Sequence, residues 1–303
     1  MGEILIGTSS WADKLLLASG WYPPGVNTAA ARLAYYGRRY QVVEVDTTYY
    51  AIPAVEVTES WVAHSPESFV FDIKAFSIFS GHTTKAANLP QDLRPAGAHS
   101  EEQLRRRDLS VGAYDELWSR FKESLEPLAV KGKLGVILLQ FPHWFKHGER
   151  EQRRIIDSAL RCQPFRAAVE LRHSSWFTAQ TAERTLAMLA EHDITYCCVD
   201  MPQGHETSVP PILIATADTA MVRFHGHSKL WATGNKQEQF RYAYGDDELA
   251  AWAVRLRELS HEADRLHVLM NNCCAGQAQT DAAKLAELLG LPWSHEVCGG
   301  SAG

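Results

Sequence analysis

Cysteine is scarce and poorly spaced for metal work. The chain of 303 residues has six, at positions 162, 197, 198, 273, 274 and 298, and no CxxC pair. That excludes the common zinc-ribbon spacings and the cysteine density of a small secreted scaffold. Reduced thiols acting as small buried hydrophobes are expected. Cys197 and Cys198, like Cys273 and Cys274, are neighbours, and in a strand adjacent side chains face opposite ways, so shared ligation from one pair is awkward. No apolar run approaches the roughly 20 residues that cross a bilayer. The start Met1, Gly2, Glu3, Ile4 lacks a basic segment leading into an apolar one. A cytoplasmic protein with no membrane partner is expected. Positive charge is not in excess either, with 30 Lys and Arg against 36 Asp and Glu and a net charge of -6. That argues against a non-specific nucleic-acid binder, although a local basic groove stays compatible with it. HExxH, the Walker sequence, the Rossmann glycine fingerprint and the GxSxG elbow are all missing, so no cofactor or serine nucleophile is indicated.

What the chain does have is alternation. In VVEVD at 42–46, Glu44 and Asp46 share one face of a strand while Val43 and Val45 share the other. The device recurs with Asp72 and Lys74 in FVFDIKA, Glu170 and Arg172 in AAVELRH, and Arg223 and His225 in MVRFHG. Isolated charge on a buried face is costly, so these groups must compensate one another or serve a site.

Strands are predicted over 3–8, 42–46, 69–75, 134–141, 166–172, 194–200, 220–225 and 266–272. Helices are predicted after a cap at Asn27 or Thr28, then over 55–64, 111–128, 149–161, 179–192, 246–263 and 279–289. Pro202, Gly204, Pro210 and Pro211 make the connection after the sixth strand irregular. Eight short apolar strands alternating with helices predict a single (β/α)8 TIM-type barrel over 1–303, with a doubly wound open sheet as the alternative. Residues 80–108 read as a lid or insertion after the third strand, and 291–303 as a C-terminal tail. Outward residues must be apolar to meet helices, so the polar partners face inward. The same counting puts Tyr196, Cys198, Asp200 and Asn271 inside, with Gln140 ending the fourth strand.

The ordered motifs IGTSSW at 6–11, VEVDTTYY at 43–50, LLQFP at 138–142, VELRHSSW at 169–176, VRFHG at 222–226 and the Asn271, Asn272 pair resemble the YecE-like family, domain of unknown function 72. The resemblance runs from residue 4 to about 289. It implies a TIM-type barrel and no established activity. Asp46 stands where many relatives of that family carry Asn.

Charged interior residues at strand C-terminal ends are where such barrels keep active sites. Glu44, Asp46, Glu170 and His225 are therefore the candidate catalytic groups. Lys74, Arg172 and Arg223 can grip a phosphate or carboxylate, with Gln140, Asp200 and Asn271 beside them. Aromatic residues follow several strand ends: Trp11, Tyr49, Tyr50, Trp144, Trp176 and Trp231. Trp11, Tyr49 and Trp176 are expected to stack on substrate, against the plainer reading of loop packing. The plainer reading of the charges is internal pairing that rigidifies the barrel. Arg105, Arg106 and Arg107 read as a solvated face rather than a phosphate site.

Three function classes follow. The favoured one is an enzyme, a hydrolase or isomerase, using carboxylate and histidine acid–base chemistry on a small sugar-like or phosphorylated substrate. A divalent ion (Mn, Mg or Zn) held among Glu44, Asp46, Glu170, Asp200 and His225 is the second. The third is ligand or nucleic-acid binding without chemistry. Glu170→Gln or Arg223→Met is expected to abolish binding and leave the barrel folded.

Overall fold

The computed structural model describes residues 1–231, 238–272 and 276–291. Cys273, Cys274, Cys298 and the tail from 292 onward lie outside the described residues. Eight parallel strands close a barrel: β1 (Glu3–Thr8), β2 (Val42–Val45), β3 (Val70–Lys74), β6 (Leu134–Gln140), β7 (Arg166–Glu170), β8 (Thr195–Asp200), β9 (Thr219–Phe224) and β10 (Arg265–Met270). The two strands omitted from that series, β4 (Thr84–Lys85) and β5 (Gln103–Leu104), form a separate antiparallel pair. The helices are α1 (Lys14–Ala18), α2 (Ala29–Gly37), α3 (Val55–Ala63), α4 (Val111–Val130), α5 (Glu149–Cys162), α6 (Ala182–Glu191), α7 (Asp246–Leu259) and α8 (Gln277–Leu289). This is the (β/α)8 TIM-type architecture, and β8 runs to β9 with no helix between them among the described residues. None of the helices described is long and apolar enough to cross a membrane.

Helix starts and faces follow local chemistry. Thr28 rather than Asn27 caps α2, its hydroxyl accepting from the Ala31 N–H at 3.1 Å. Leu249, Trp252, Ala253 and Leu256 of α7 are all buried, the spacing of one helical stripe against the barrel. The layer between strands and helices is aliphatic and aromatic: Val43, Val45, Phe71, Ile73, Val169, Leu171, Val222 and Phe224 belong to one buried cluster with the inward residues of the helices. A second, smaller cluster fills the barrel itself, with Leu5, Val42, Val70, Val136, Leu138, Ala168, Cys197, Val199 and Met221 among its members. Burial in these two layers is the main stabilising term of the fold.

The parity predicted for β8 is wrong. Tyr196 and Cys198 belong to the outer cluster, and Cys197 and Val199 to the inner one. Asp200 goes outward with its own face, where its two oxygens lie 2.9 Å from His227 Nε2 and 2.6 Å from the Tyr244 hydroxyl. The physical reason is that the barrel interior at β8 is apolar, so the rule that polar residues point inward fails on this strand.

Under the mouth, Asp72 of β3 fills an irregularity in the β3–β6 pairing. Its Oδ1 accepts from the Val136 N–H at 3.0 Å, and both its oxygens lie 2.9 Å from His267 Nδ1. Gly135 makes this fit: a Cβ there would stand 2.2 Å from Asp72 Oδ1 and 2.8 Å from Val70 Cγ1.

Between β3 and α4 the chain makes short helical turns and the β4–β5 pair. Ala86, Leu89, Leu104 and Leu109 are buried there against the main core. Arg94 holds the excursion shut by donating to the carbonyls of Leu89 (2.9 Å) and Ala87 (3.0 Å).

Candidate functional site

The inward faces of β2, β7 and β9 bring three charges together at the C-terminal end of the barrel. Arg223 is fully buried, and its guanidinium bridges two equally buried carboxylates, with Nη2 2.6 Å from Glu44 Oε1 and Nη1 bonded to Glu170 Oε2. Glu170 Oε1 also accepts from Arg172 Nε and from Gln140 Nε2, the latter at 2.9 Å. Arg172 Nη2 lies 3.0 Å from His225 Nε2, and Asn271 Nδ2 lies 2.8 Å from His225 Nδ1. A guanidinium can only donate, so Nε2 accepts. The proton of a neutral ring then sits on Nδ1, which requires the Asn271 amide to present its oxygen there. On the other side Lys74 Nζ lies 2.9 Å from Asp46 Oδ1 and 5.2 Å from the centre of the Tyr49 ring.

The cluster is layered. Glu44, Glu170, Arg223 and His225 are shut off from solvent, whereas Lys74 and Arg172 are 14% and 13% exposed and Asp46 35%. A ligand entering from the mouth meets Lys74, Asp46, Arg172, Gln140 and Asn271 first.

Electrostatics separates the carboxylates. Burial raises Glu44, Arg223 opposes it, and the outcome is a carboxyl pushed up to about 8. The Asp46 carboxyl, a hydrogen-bond partner of Glu44, adds to the rise. Burial acts on Glu170 too, but Arg172 and Arg223 outweigh it and hold the group well below the ordinary range. Asp46 is lowered, with Lys74 and then Arg223 overcoming burial. Burial, followed by the Arg172 charge, lowers His225 to about 3, so the imidazole is neutral at physiological pH. With Glu44 protonated, three cations face two carboxylates, and the mouth carries an excess of positive charge. Acidic groups with such different affinities for a proton in one site are the arrangement that acid–base catalysts use.

Of the predicted site residues, Glu44, Asp46, Lys74, Tyr49, Gln140, Glu170, Arg172, Arg223, His225 and Asn271 come together. Trp11, Trp176 and Asp200 do not. Trp11 packs edge-on to Trp61 and Phe71 in the strand–helix layer. Trp176 is fully buried, donates its indole N–H to the Phe145 carbonyl at 2.6 Å and stacks on the Phe145 ring. Both rings reach core partners before they reach the mouth. Asp200 serves the His227 and Tyr244 contact instead. Sequence reasoning missed His267, which its spacing from Asn271 (two steps of period two on β10) would have placed on the inner face. It also missed His82, whose Nε2 lies 3.1 Å from the Gln140 carbonyl and which burial lowers to about 4.

The five donors considered for a metal do not form one site. Asp200 is on the outer face, and Glu44 and Glu170 are tied to Arg223. Among the described residues no three His, Cys, Asp or Glu side chains are placed to hold an ion.

The family profile described as "Protein of unknown function DUF72" matches residues 5–297. The chain belongs to the DUF72 family. It is similar to the UPF0759 protein YunF of Bacillus subtilis, 29% identical over 298 residues covering 96% of each chain. It is also similar to the UPF0759 protein YecE of Escherichia coli O157:H7, 25% identical with 74% of each chain covered. Among solved structures, a DUF72 protein from Enterococcus faecalis superposes with a TM-score of 0.78 at 24% identity, covering 96% of this chain and 97% of that one. A DUF72 protein from Thermotoga maritima does so with 0.72 at 25% identity, covering 95% and 99%. DUF72 membership and the barrel fold agree, and neither carries a named activity or substrate.

Proposed function

We propose that this DUF72 protein is an enzyme that moves a proton on a small anionic substrate, sugar-like or phosphorylated, bound at the C-terminal mouth of the barrel. The supporting observation is Glu44: a buried carboxyl pushed up to about 8, with one oxygen on Arg223 and the Asp46 carboxyl hydrogen-bonded beside it. A group that exchanges its proton near neutral pH is matched to general acid–base work. Glu170 stays ionised and aims Arg172 and Arg223. Arg172 and Lys74, at the solvent side, take the substrate's anionic group, and the neutral His225, with Nε2 accepting from Arg172 and Nδ1 on Asn271, orients Arg172 toward it. The excess of positive charge at the mouth favours a substrate that brings its own negative charge.

Proton exchange can be followed whatever the overall reaction is. The protein is incubated in D2O with a pentose phosphate and a hexose phosphate, and uptake of deuterium at carbon is followed by proton NMR, with binding measured by calorimetry. Exchange that disappears in Glu44→Gln is the expected result, with affinity weakened at least about tenfold in Lys74→Met. Absence of binding by either sugar phosphate, or exchange that persists in Glu44→Gln, would overturn the reading.

A further inference from the structure

A second charged feature lies outside the mouth. The turn containing Arg105, Arg106 and Arg107 faces α5 across a groove of about 1000 Å³, and α5 contributes Arg150, Arg153, Arg154 and Arg161. One acid, Asp157, lines the same groove. In a chain of net charge -6, seven guanidinium groups gathered in one place need a reason.

Internal pairing accounts for part of the cluster only. Arg161 is neutralised by Asp115 at 2.8 Å and Asp157 at 3.2 Å. Arg153 and Arg107 stand 3.9 Å from Glu149 and Asp108, the edge of ion-pair contact. Arg106 lies over the Tyr114 ring at 4.0 Å, and among the described residues neither Arg150 nor Arg154 forms an ion pair. Arg154 is also partly buried, with its guanidinium packed against Gly81. Like charges crowded this way repel one another unless an anion lies between them.

The shape and the aromatic lining narrow the anion. At a rise of 1.5 Å per residue, Arg150 to Arg154 spans about 6 Å of α5, and Arg105 and Arg106 border the groove from the facing turn, so the guanidinium groups not held by carboxylates flank it on two sides, room for more than one phosphate. Trp144 lines the same groove and is 57% exposed, with the His143 and His82 rings set roughly perpendicular to it. Arginine forks match phosphate oxygens in pairs, and an exposed indole stacks on an unpaired base. The groove also joins the mouth through a file of rings: Trp144 meets His82 at 5.8 Å, His82 meets Tyr49 at 5.4 Å, and Tyr49 lies against Lys74.

We propose that this groove binds a single strand of nucleic acid, its phosphates on the α5 and turn arginines and a base on Trp144. This replaces the reading of Arg105 to Arg107 as a plain solvated face, and it does not rest on the acid–base reading of the mouth.

Fluorescence anisotropy with a labelled oligothymidylate of roughly 12 nucleotides, titrated between about 50 and about 200 mM salt, is the test. Binding is expected to weaken with salt by about 0.7 log units per log unit of salt for each phosphate contacted. The double variant Arg150→Glu, Arg154→Glu is expected to lose at least tenfold in affinity and Trp144→Ala several-fold, with unchanged circular dichroism. No binding at low salt would overturn the proposal. So would affinity untouched by these variants, or inorganic polyphosphate bound as tightly as the oligonucleotide with Trp144→Ala without effect.

Discussion

Arg223 Nη2 lies 2.6 Å from Glu44 Oε1 at the centre of the barrel mouth, and neither side chain reaches solvent. The same guanidinium holds Glu170, so one cation satisfies carboxyl groups from two other strands. The pairing is a structural tie common to both carboxyl groups, and their proton affinities divide because burial prevails on Glu44 whereas Arg172 adds its charge on Glu170.

Arg223→Met therefore does more than weaken a ligand. It leaves two buried carboxyl groups without their shared cation, a change that costs about 3–5 kcal/mol in comparable buried pairs. Urea unfolding at neutral pH is expected to show that loss, and to show less of it in acid, where Glu170 can take up a proton once the cation is gone. A loss below about 1 kcal/mol at neutral pH would mean that the pair contributes little.

Glu44 sets a sign for the pH dependence of stability. Its carboxyl titrates near the ordinary 4.5 when unfolded and near 8 when folded, so the folded state holds the extra proton in that window. Stability from this group is present below the lower value and falls as pH rises through the upper one. Comparing the wild type with Glu44→Gln by denaturant unfolding across that range is expected to show a steeper decline in the wild type, the His227 contribution being common to both. Parallel curves would contradict the raised carboxyl.

Two histidines near the same strand ends are expected to titrate in opposite senses. His225 is lowered to about 3 by burial and Arg172, and its imidazole nitrogen shifts are expected to stay flat from about pH 5 to about pH 8. His227 is raised, first by its hydrogen bond to Asp200, against burial. Its contribution to stability is complete below the unfolded value and is lost as pH rises through the higher folded one. Asp200→Asn is expected to lower His227 and leave His225 unmoved, because Asp200 faces the outer layer. Nitrogen-detected NMR of the imidazoles reads both.

Gly135→Ala is expected to destabilise the barrel by about 1–3 kcal/mol through overpacking. The new methyl would meet Asp72 Oδ1 at 2.2 Å, and that oxygen is fixed by Val136 and His267. A melting temperature equal to that of the wild type would show that the floor can yield.

Much of the fold was legible because period two and apolar spacing are local signals. On β2, β3, β7 and β9 each inward polar residue is flanked by outward apolar ones, so Glu44, Lys74, Glu170, Arg172, Arg223 and His225 read as one set from the chain alone. On β8 the pattern inverts. Cys197 and Val199 pass for outward residues, whereas Asp200 turns away because His227 and Tyr244 offer it partners from the chain beyond β9. Trp11 and Trp176 follow strands of the barrel in the sequence, and only their packing on Phe71 and Phe145 reveals them as core.

The sequence by itself determined the barrel, the family and the residues that carry charge to the mouth, because strand alternation and motif order are written along the chain. Tertiary structure decided which charges pair, which carboxyl is raised, and that arginines from the turn before α4 and from α5 line one groove. Those outcomes depend on distance and burial between residues far apart in the chain, and no local pattern encodes them.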